Sequence, residues 1–374
     1  MDLFKTIFRL IILNWYYITR KRKEKNVYFS SFEGQYSDSP KAIAEELYRL
    51  DPSIHQLWCA NKGVNMPEYV EKVFSPMGKL RARAISKAWV IGMGSNWKPK
   101  DILLVAVWHG DRGFKKILLE TPTKSSHTRR GKNIIKSSRN IDIFTSGSRY
   151  GEMQAHQGLG YYGYIQKEGL PRNDKLVNAI CYKEDILKIK AELGISLDTK
   201  ILLYAPTFRD SETGKQKSTI DIPKAMNSLQ KNGEKWICIL RAHKLSKGIE
   251  TCDTNAYLDL SDWGDMTDLL LISDCLITDY SSCAGDFILT NKPCILAHFD
   301  KEEYEAKSRS LWINPDETGF LIAKNQKELN NLLEHLYDYD HASIANNVLN
   351  YYGAYESGKS AKVTAQKIAD WVNK

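Results

Sequence analysis

The chain has 374 residues, 43% of them hydrophobic and 26% charged, and a formal net charge of +8 at pH 7. The composition is that of a globular protein, and the length exceeds the roughly 100–200 residues of a usual domain, so two domains are expected. The seven cysteines show no C-x-x-C pair or metal-ligand spacing, which argues against a disulfide framework and for reduced thiols in a cytoplasmic setting. The positive charge suits a polyanionic partner, whether nucleic acid, anionic lipid or a phosphorylated substrate.

In chain order, Leu3 to Ile18 reads "LFKTIFRLIILNWYYI" and runs into the cationic stretch Arg20 to Lys25. A spanning helix needs about 20 apolar residues; this segment is shorter, is interrupted by Lys5, Arg9 and Asn14, and has no small-residue cleavage site after it. Residues 1–25 therefore read as an amphipathic basic helix lying in the headgroup region of an anionic membrane. The alternative is a capping helix that packs Phe4, Ile7, Phe8, Ile11 and Trp15 against the protein itself. Residues 26–172 then alternate strand and helix. The runs "NVYFSSF", "HQLWCA", "KAWVIGM", "ILLVAVW" and "IDIFTSG" are strand-like, and "SPKAIAEELYRL" is helical, with Pro40 in its first turn and Ile43, Leu47 and Leu50 on one face. Tyr69 to Ser86 carries no decisive period.

"GLPRND" (Gly169 to Asp174) reads as the domain junction. Residues 173–358 repeat the plan: helix "EDILKIKAELG", strand "KILLYAPT", helix "PKAMNSLQKNG", strand "KWICILRAH" and strand-helix "AYLDLSDWGDMTDLLLIS". Next comes "CLITDYSSCAGDFILTNKPCIL", a strand, a polar turn with N-cap types Ser281 and Ser282, a helix and a further strand. Residues 359–374 form a last helix that is expected to cross back to the first domain. The fold class is α/β, two Rossmann-like domains facing a central cleft, without a GxGxxG or GxxxxGK[ST] loop.

Four polar clusters follow strands, where a doubly wound sheet places its ligands. They are "VWHGDRGFKK" (His109, Asp111, Arg112, Lys115, Lys116), "YAPTFRD" (Thr207, Arg209, Asp210), "RAHKLSKG" (Arg241, His243, Lys244, Lys247) and "TDYSSCAGD" (Asp279, Ser281, Ser282, Asp286). Cations, hydroxyls and two histidines converging on one cleft suit a diphosphate that develops negative charge. His109 follows an apolar strand and precedes Gly110, so its imidazole is a candidate to take a proton from an attacking hydroxyl; the other reading is a hydrogen-bonded structural histidine. His243 is expected to hold phosphate oxygens beside Arg241. Asp286 is read either as an acceptor of ribose hydrogen bonds or as a surface acid, and Lys115 and Lys116 either as ligand contacts or as a solvated face.

The segments "FEGQYSDSPKAIAEEL", "WHGDRGFKK", "GLPRND", "LLYAPTFRD", "RAH" and "DLLLISDCLITDYSSCAGDFILTNKPCIL", in that order, resemble the CDP-glycerol glycerophosphotransferase family of teichoic acid synthesis, which contains its primases and polymerases. The resemblance spans about residues 27 to 330. It implies a GT-B fold whose carboxyl-terminal domain holds a CDP-alditol. In that fold His109 and His243 are catalytic, while Thr207, Arg209, Arg241, Asp279, Ser281, Ser282 and Asp286 bind the donor, and Asp111, Arg112, Lys115 and Lys116 lie on the acceptor side. One departure stands out: the family has Thr-Pro after His-Gly, where this chain has Asp111-Arg112-Gly113.

The implied reaction transfers glycerol phosphate from CDP-glycerol to a hydroxyl of a polyprenyl-diphosphate-linked saccharide and releases CMP. The protein would be peripheral on the cytoplasmic face of the cell membrane, in contact with its anionic surface. No cofactor, metal site or nucleic-acid partner is expected. Alternatives are ribitol phosphate transfer from CDP-ribitol, a GT-B glycosyltransferase using a nucleotide sugar, and a non-catalytic polyanion- or membrane-binding protein. Against the last, the cations sit at strand ends instead of forming one basic stripe with interleaved aromatics.

Overall fold

The computed structural model describes residues 8, 11, 12, 15 and 18, and then 25–207, 216–242, 249–250, 256–307 and 310–374. Most of the expected amino-terminal helix falls outside the described residues. Phe8, Ile11, Ile12, Trp15 and Ile18 are helical, and all but Ile12 are exposed. Among the described residues, no helix is long and apolar enough to cross a membrane.

The first sheet contains β1 (Asn26–Ser30), β2 (His55–Cys59), β3 (Val70–Val73), β4 (Ala88–Ile91), β5 (Leu103–Val107), β6 (Ile143–Thr145) and β7 (Ile165–Gln166), in the order β3-β2-β1-β4-β5-β6-β7. The second part of the chain adds β8 (Lys200–Ala205), β9 (Gln216–Lys217), β10 (Trp236–Leu240), β11 (Ile249–Glu250), β12 (Leu258–Asp259), β13 (Cys275–Thr278), β14 (Cys294–Ala297) and β15 (Leu321–Ala323). Six of these form a sheet in the order β12-β10-β8-β13-β14-β15, while β9 and β11 pair apart from it. Every pairing between these strands is parallel.

Parallel strands covered by helices on both faces read as unbroken apolar runs, and "LLVAV" of β5 and "CLIT" of β13 are buried at every position. Counted among its own strands, the second sheet has the doubly wound order 3-2-1-4-5-6, and the first has the same order with a seventh strand added beside β6. The order reverses between β1 and β4 in one sheet and between β8 and β13 in the other, and such switch points are where ligands bind outside the carboxyl ends of strands.

The helix Asp38–Leu50 buries Ile43, Ala44 and Leu47. They share a core with Val27 and Phe29 of β1 and with Ala365, Ile368, Ala369 and Val372 of the final helix, Ser360–Val372. The last element of the chain is therefore packed on the core of its first sheet. The stretch from Tyr69 to Ser86 resolves into β3 and a helix, Pro76–Ile85, whose first turn is capped by Ser75 Oγ accepting from Gly78 N at 3.0 Å.

The turn after β13 differs from expectation. Its α-helix, Cys283–Phe287, spans five residues and continues into the short 3-10 turn Ile288–Thr290. Ser282 makes no side-chain cap bond, and Ser281 Oγ accepts from Cys283 N at 3.4 Å. So short a helix has a weak macrodipole.

Candidate active site

Loops at the carboxyl ends of both sheets enclose a cavity of about 230 Å³. The first domain contributes Phe32, Gln35, Ser37 and Asp38 after β1, His109 after β5, and Arg172 from the junction. The second contributes Arg241 after β10, residues 264–267 and Leu270 around the start of the helix Met266–Ile272, and Ser281, Ser282, Cys283 and Asp286 after β13. His109 is exposed to this cavity, with its ring between Trp108 (centroids 4.4 Å apart) and Phe32 (5.2 Å). Arg241 Nη1 donates to the carbonyl oxygens of Leu260 (3.2 Å) and Ser261, which fixes the guanidinium at the cavity wall.

Arg172 connects both domains to the histidine. Its Nη2 donates to His109 O at 2.9 Å and to Asp286 Oδ2 at 2.9 Å, its Nε to the same Oδ2 at 3.1 Å, and its Nη1 to Asp38 Oδ1 at 3.0 Å. Arg112 lies beside it. Nε donates to Gly285 O (2.8 Å), Nη1 to Gly147 O (3.1 Å) and Nη2 to Asp286 Oδ1 (3.3 Å), and Nη1 pairs with Glu356 at 2.7 Å. Burial opposes the charge of each arginine, but for Arg112 the carboxylates of Glu356, Asp111 and Asp286 outweigh it and raise the pKa, as Asp286 and Asp38 do for Arg172. Burial also pushes the Glu356 carboxyl up, against the pull of Arg112.

Two more ion pairs join the halves. Lys41 pairs with Asp265 at 3.0 Å and Asp268 at 3.4 Å across the interface. Burial and the neighbouring Asp265 push Asp268 up to about 6, while Asp265, although buried, is held low by Lys41.

Five of the expected residues, His109, Arg241, Ser281, Ser282 and Asp286, line the one cavity. Others lie elsewhere. Asp111 and Arg112, expected on the acceptor side, are 1% and 0% exposed, and Arg112 reaches across to Gly285, Asp286 and Glu356. Both oxygens of Asp111 accept within the first domain, Oδ2 from Gly147 N (2.8 Å) and Oδ1 from Ser148 Oγ. Asp279, expected to touch the donor, is 1% exposed. Its Oδ1 accepts from Thr207 N (2.8 Å) and Tyr280 N (2.6 Å), so the pair Thr207 and Asp279 shapes the turns after β8 and β13 from beneath.

Asp286 reaches the cavity, but both its oxygens are engaged by Arg112, Arg172 and Asn173, which leaves it an interface anion more than a ribose acceptor. Lys115 and Lys116 stand outside the cavity lining. Their backbone runs along 310–311, and Lys115 Nζ lies 5.7 Å from the Tyr304 ring centroid. Arg209 and His243, like Asp210, Lys244 and Lys247, lie outside the described residues.

Sequence reading gave no role to Arg172, Asp38, Phe32, Gln35 or Glu356. The signal was present for four of them, since "FEGQYSDS" and "GLPRND" follow strands in the same way as the clusters that were singled out. Glu356 sits between two helices far along the chain, and nothing local marks it.

The model of the family described as CDP-Glycerol:Poly(glycerophosphate) glycerophosphotransferase matches residues 13–370. A teichoic acid glycerol-phosphate transferase of Staphylococcus aureus (strain NCTC 8325 / PS 47) is 33% identical over 361 residues, covering 88% of this chain and 90% of that protein. A teichoic acid poly(glycerol phosphate) polymerase of Bacillus subtilis (strain 168) is 32% identical over 313 residues, 78% of this chain. The match takes in 41% of that polymerase, so this chain spans less than half the length of such relatives. Among solved structures, the wall teichoic acid polymerase TagF superposes with a TM-score of 0.83 at 25% identity, over 99% of this chain and 98% of that one. A single-residue variant of that polymerase has also been solved after a soak with CDPG, with a TM-score of 0.82 at 25% identity over 99% of this chain and 98% of that one. The α/β fold with two parallel sheets is thus GT-B-like.

Proposed function

The chain belongs to the CDP-glycerol:poly(glycerophosphate) glycerophosphotransferase family, and on that premise we propose that it transfers glycerol phosphate from CDP-glycerol to a hydroxyl of a lipid-linked acceptor and releases CMP. The observation that carries this reading is the placing of His109, from the first domain, in one cavity with Arg241, Ser281 and Ser282 from the second.

The acceptor oxygen attacks the β-phosphorus of the donor. The bond from that phosphorus to the bridging oxygen breaks, CMP leaves with the bond's electron pair, and a phosphodiester remains. His109 takes the proton of the attacking hydroxyl, while Arg241 and the two serine hydroxyls offset the charge that develops on the diphosphate. The described walls enclose less than the roughly 300–1,000 Å³ of a usual small-ligand site. They suit the diphosphate and its alditol.

The exposed apolar side chains Phe8, Ile11, Trp15 and Ile18 recur at helical spacing ahead of the cationic run Arg20 to Lys25. That supports a peripheral site on an anionic cytoplasmic membrane surface, where a polyprenyl-diphosphate-linked acceptor is presented. Ribitol-phosphate polymerases are also relatives, one of Staphylococcus aureus (strain NCTC 8325 / PS 47) at 26% identity over 54% of this chain, so the test carries both donors.

The test measures CMP release from CDP-glycerol and CDP-ribitol over a panel of lipid-linked acceptors, for the wild type and His109→Ala. Release from CDP-glycerol that falls by about 10²–10⁴-fold in the variant, the usual contribution of a general base, is expected. Release that the substitution leaves intact would remove His109 from the reaction, and absence of release by the wild type from either donor would overturn the transferase reading.

A further inference from the structure

The first domain has a second cavity, about 770 Å³, against 230 Å³ at the site just described. It is lined by Leu119 and Ser125–His127, by residues at and beyond the end of the helix Arg129–Ser138, Arg139 among them, and by His156, Gln157 and 160–163 at the end of the helix Arg149–Leu159. These segments precede β6 and β7, so the cavity opens at the amino edge of the sheet. The helix Arg149–Leu159 starts at the carboxyl edge, where Ser148 holds Asp111, and its 11 residues separate the two sites by about 16 Å at 1.5 Å per residue.

Its polar groups are cationic and hydroxylic. No Asp or Glu lines it, whereas Arg139, His127 and His156 do, with Ser125, Ser126 and Gln157. Residues 121–141 contain six Lys or Arg and no acidic residue. Among the described residues, Arg139 is exposed and has no carboxylate at ion-pair distance. A guanidinium without an internal counter-ion, at the rim of a cavity, is suited to a phosphate that arrives with a ligand.

The opposite wall is a flat platform. Tyr162 is 77% exposed and stacks on His156 with centroids 5.0 Å apart and planes 3° from parallel. His156 Nδ1 donates to Tyr161 O at 2.7 Å, which in the neutral ring leaves Nε2 as an acceptor for a hydroxyl. We infer that this cavity binds a glycosyl phosphate, with the phosphate on Arg139 and His127, the sugar ring against Tyr162, and the sugar hydroxyls on His156, Gln157 and the serines.

A free phosphate fills only a small part of 770 Å³, and a bilayer surface, flat on this scale, cannot enter a concavity. Only Leu119, Ile135 and Ile141 among the lining residues are aliphatic, too few for a lipid tail. The identification of this ligand with the far end of the acceptor, the part remote from the reacting hydroxyl, rests on the transferase reading; the binding itself does not.

The test titrates the full chain with glucose 1-phosphate by calorimetry, with methyl glucoside, inorganic phosphate and vesicles containing phosphatidylglycerol as comparison probes. Saturable binding of glucose 1-phosphate is expected, weakened about tenfold or more by Arg139→Ala and by Tyr162→Ala. It should be unchanged in Lys136→Ala, an exposed cation of the same helix that does not line the cavity. Circular dichroism checks that each variant is folded.

Three kinds of result would overturn the inference. One is the absence of saturable binding, and another is equal affinity for inorganic phosphate, which would mean a bare anion site. The third is a loss in Lys136→Ala as large as in Arg139→Ala, or displacement by vesicles whose own binding needs Arg139, either of which would assign the patch to a lipid surface. Because calorimetry is independent of CMP release, failure here leaves the transferase reading standing, and failure of CMP release leaves the binding result standing.

Discussion

Arg112 and Asp38 share an uncommon backbone state: both are non-glycine residues in the left-handed region, with φ of +49° and +63°. Such conformations cost on the order of 1–3 kcal/mol and persist where surrounding contacts overdetermine them. Here those contacts are the buried ion pairs that join the domains. Gly285 is the matching feature on the other side. A β-carbon there would lie 2.5 Å from both the Cβ and the carbonyl oxygen of Arg112, and the latter is backbone. Gly285→Ala is expected to cost about 1–3 kcal/mol by overpacking and to lower CMP release as well, because the loop carrying His109 must shift. Denaturant unfolding and turnover measured together check this; full activity with unchanged stability would show that the interface yields freely at this point.

At the scale of elements, the final helix Ser360–Val372 is anchored at its start by Asp174, whose carboxylate accepts from Ser360 N (3.0 Å) and Ala361 N (2.7 Å). Burial pushes the Asp174 carboxyl up to about 7, in spite of those two bonds. Its ordinary value is 3.8, so between there and about pH 7 the folded protein holds a proton that the unfolded chain has lost. Stability from this group is therefore fully present below the ordinary carboxyl value and declines as pH rises through about 7. Melting temperatures of the wild type and Asp174→Asn across that range should show a declining component that is absent in the variant. Parallel profiles would mean that Asp174 titrates normally.

Several helices missing from the sequence reading are opened by side-chain caps of this local kind. Thr128 accepts from Gly131 N, Ser148 from Gly151 N, Asn325 from Glu328 N and Asp340 from Ser343 N, each at 3.0 Å. The start signals were legible, but the apolar stripes behind them were thin. "RRGKNIIKSS" offers only Ile134 and Ile135 as large apolar side chains, so periodicity had little to detect.

For the whole molecule, the two halves are joined by buried charges as well as by the apolar packing of Phe114 and Tyr150 into the core of the second. Arg112 is fully buried among Asp111, Asp286 and Glu356. Its replacement by methionine leaves carboxylates without compensation, a loss of about 3–5 kcal/mol. Adding Glu356→Gln removes one of those stranded charges, so the double variant should lose less than the sum of the single losses, as expected for residues in one network. Thermal and denaturant unfolding of the four proteins checks this, and strict additivity would show that Arg112 and Glu356 do not act as a unit.

The strand runs, a helix over Ser39 to Leu50 and the residue types at the ends of β5, β10 and β13 were legible in the sequence alone, because apolar periodicity and turn chemistry are local properties. Only the tertiary structure decided which strand-end side chains face the cavity. Arg112 and Gly285 are 173 residues apart and meet through one hydrogen bond, and Asp111, Asp279 and Asp286 hold their partners in the same buried interior. A carboxylate at a strand end looks identical in the sequence whether it meets substrate or an arginine of the other domain, since that choice is made by packing between segments with no local relation to each other.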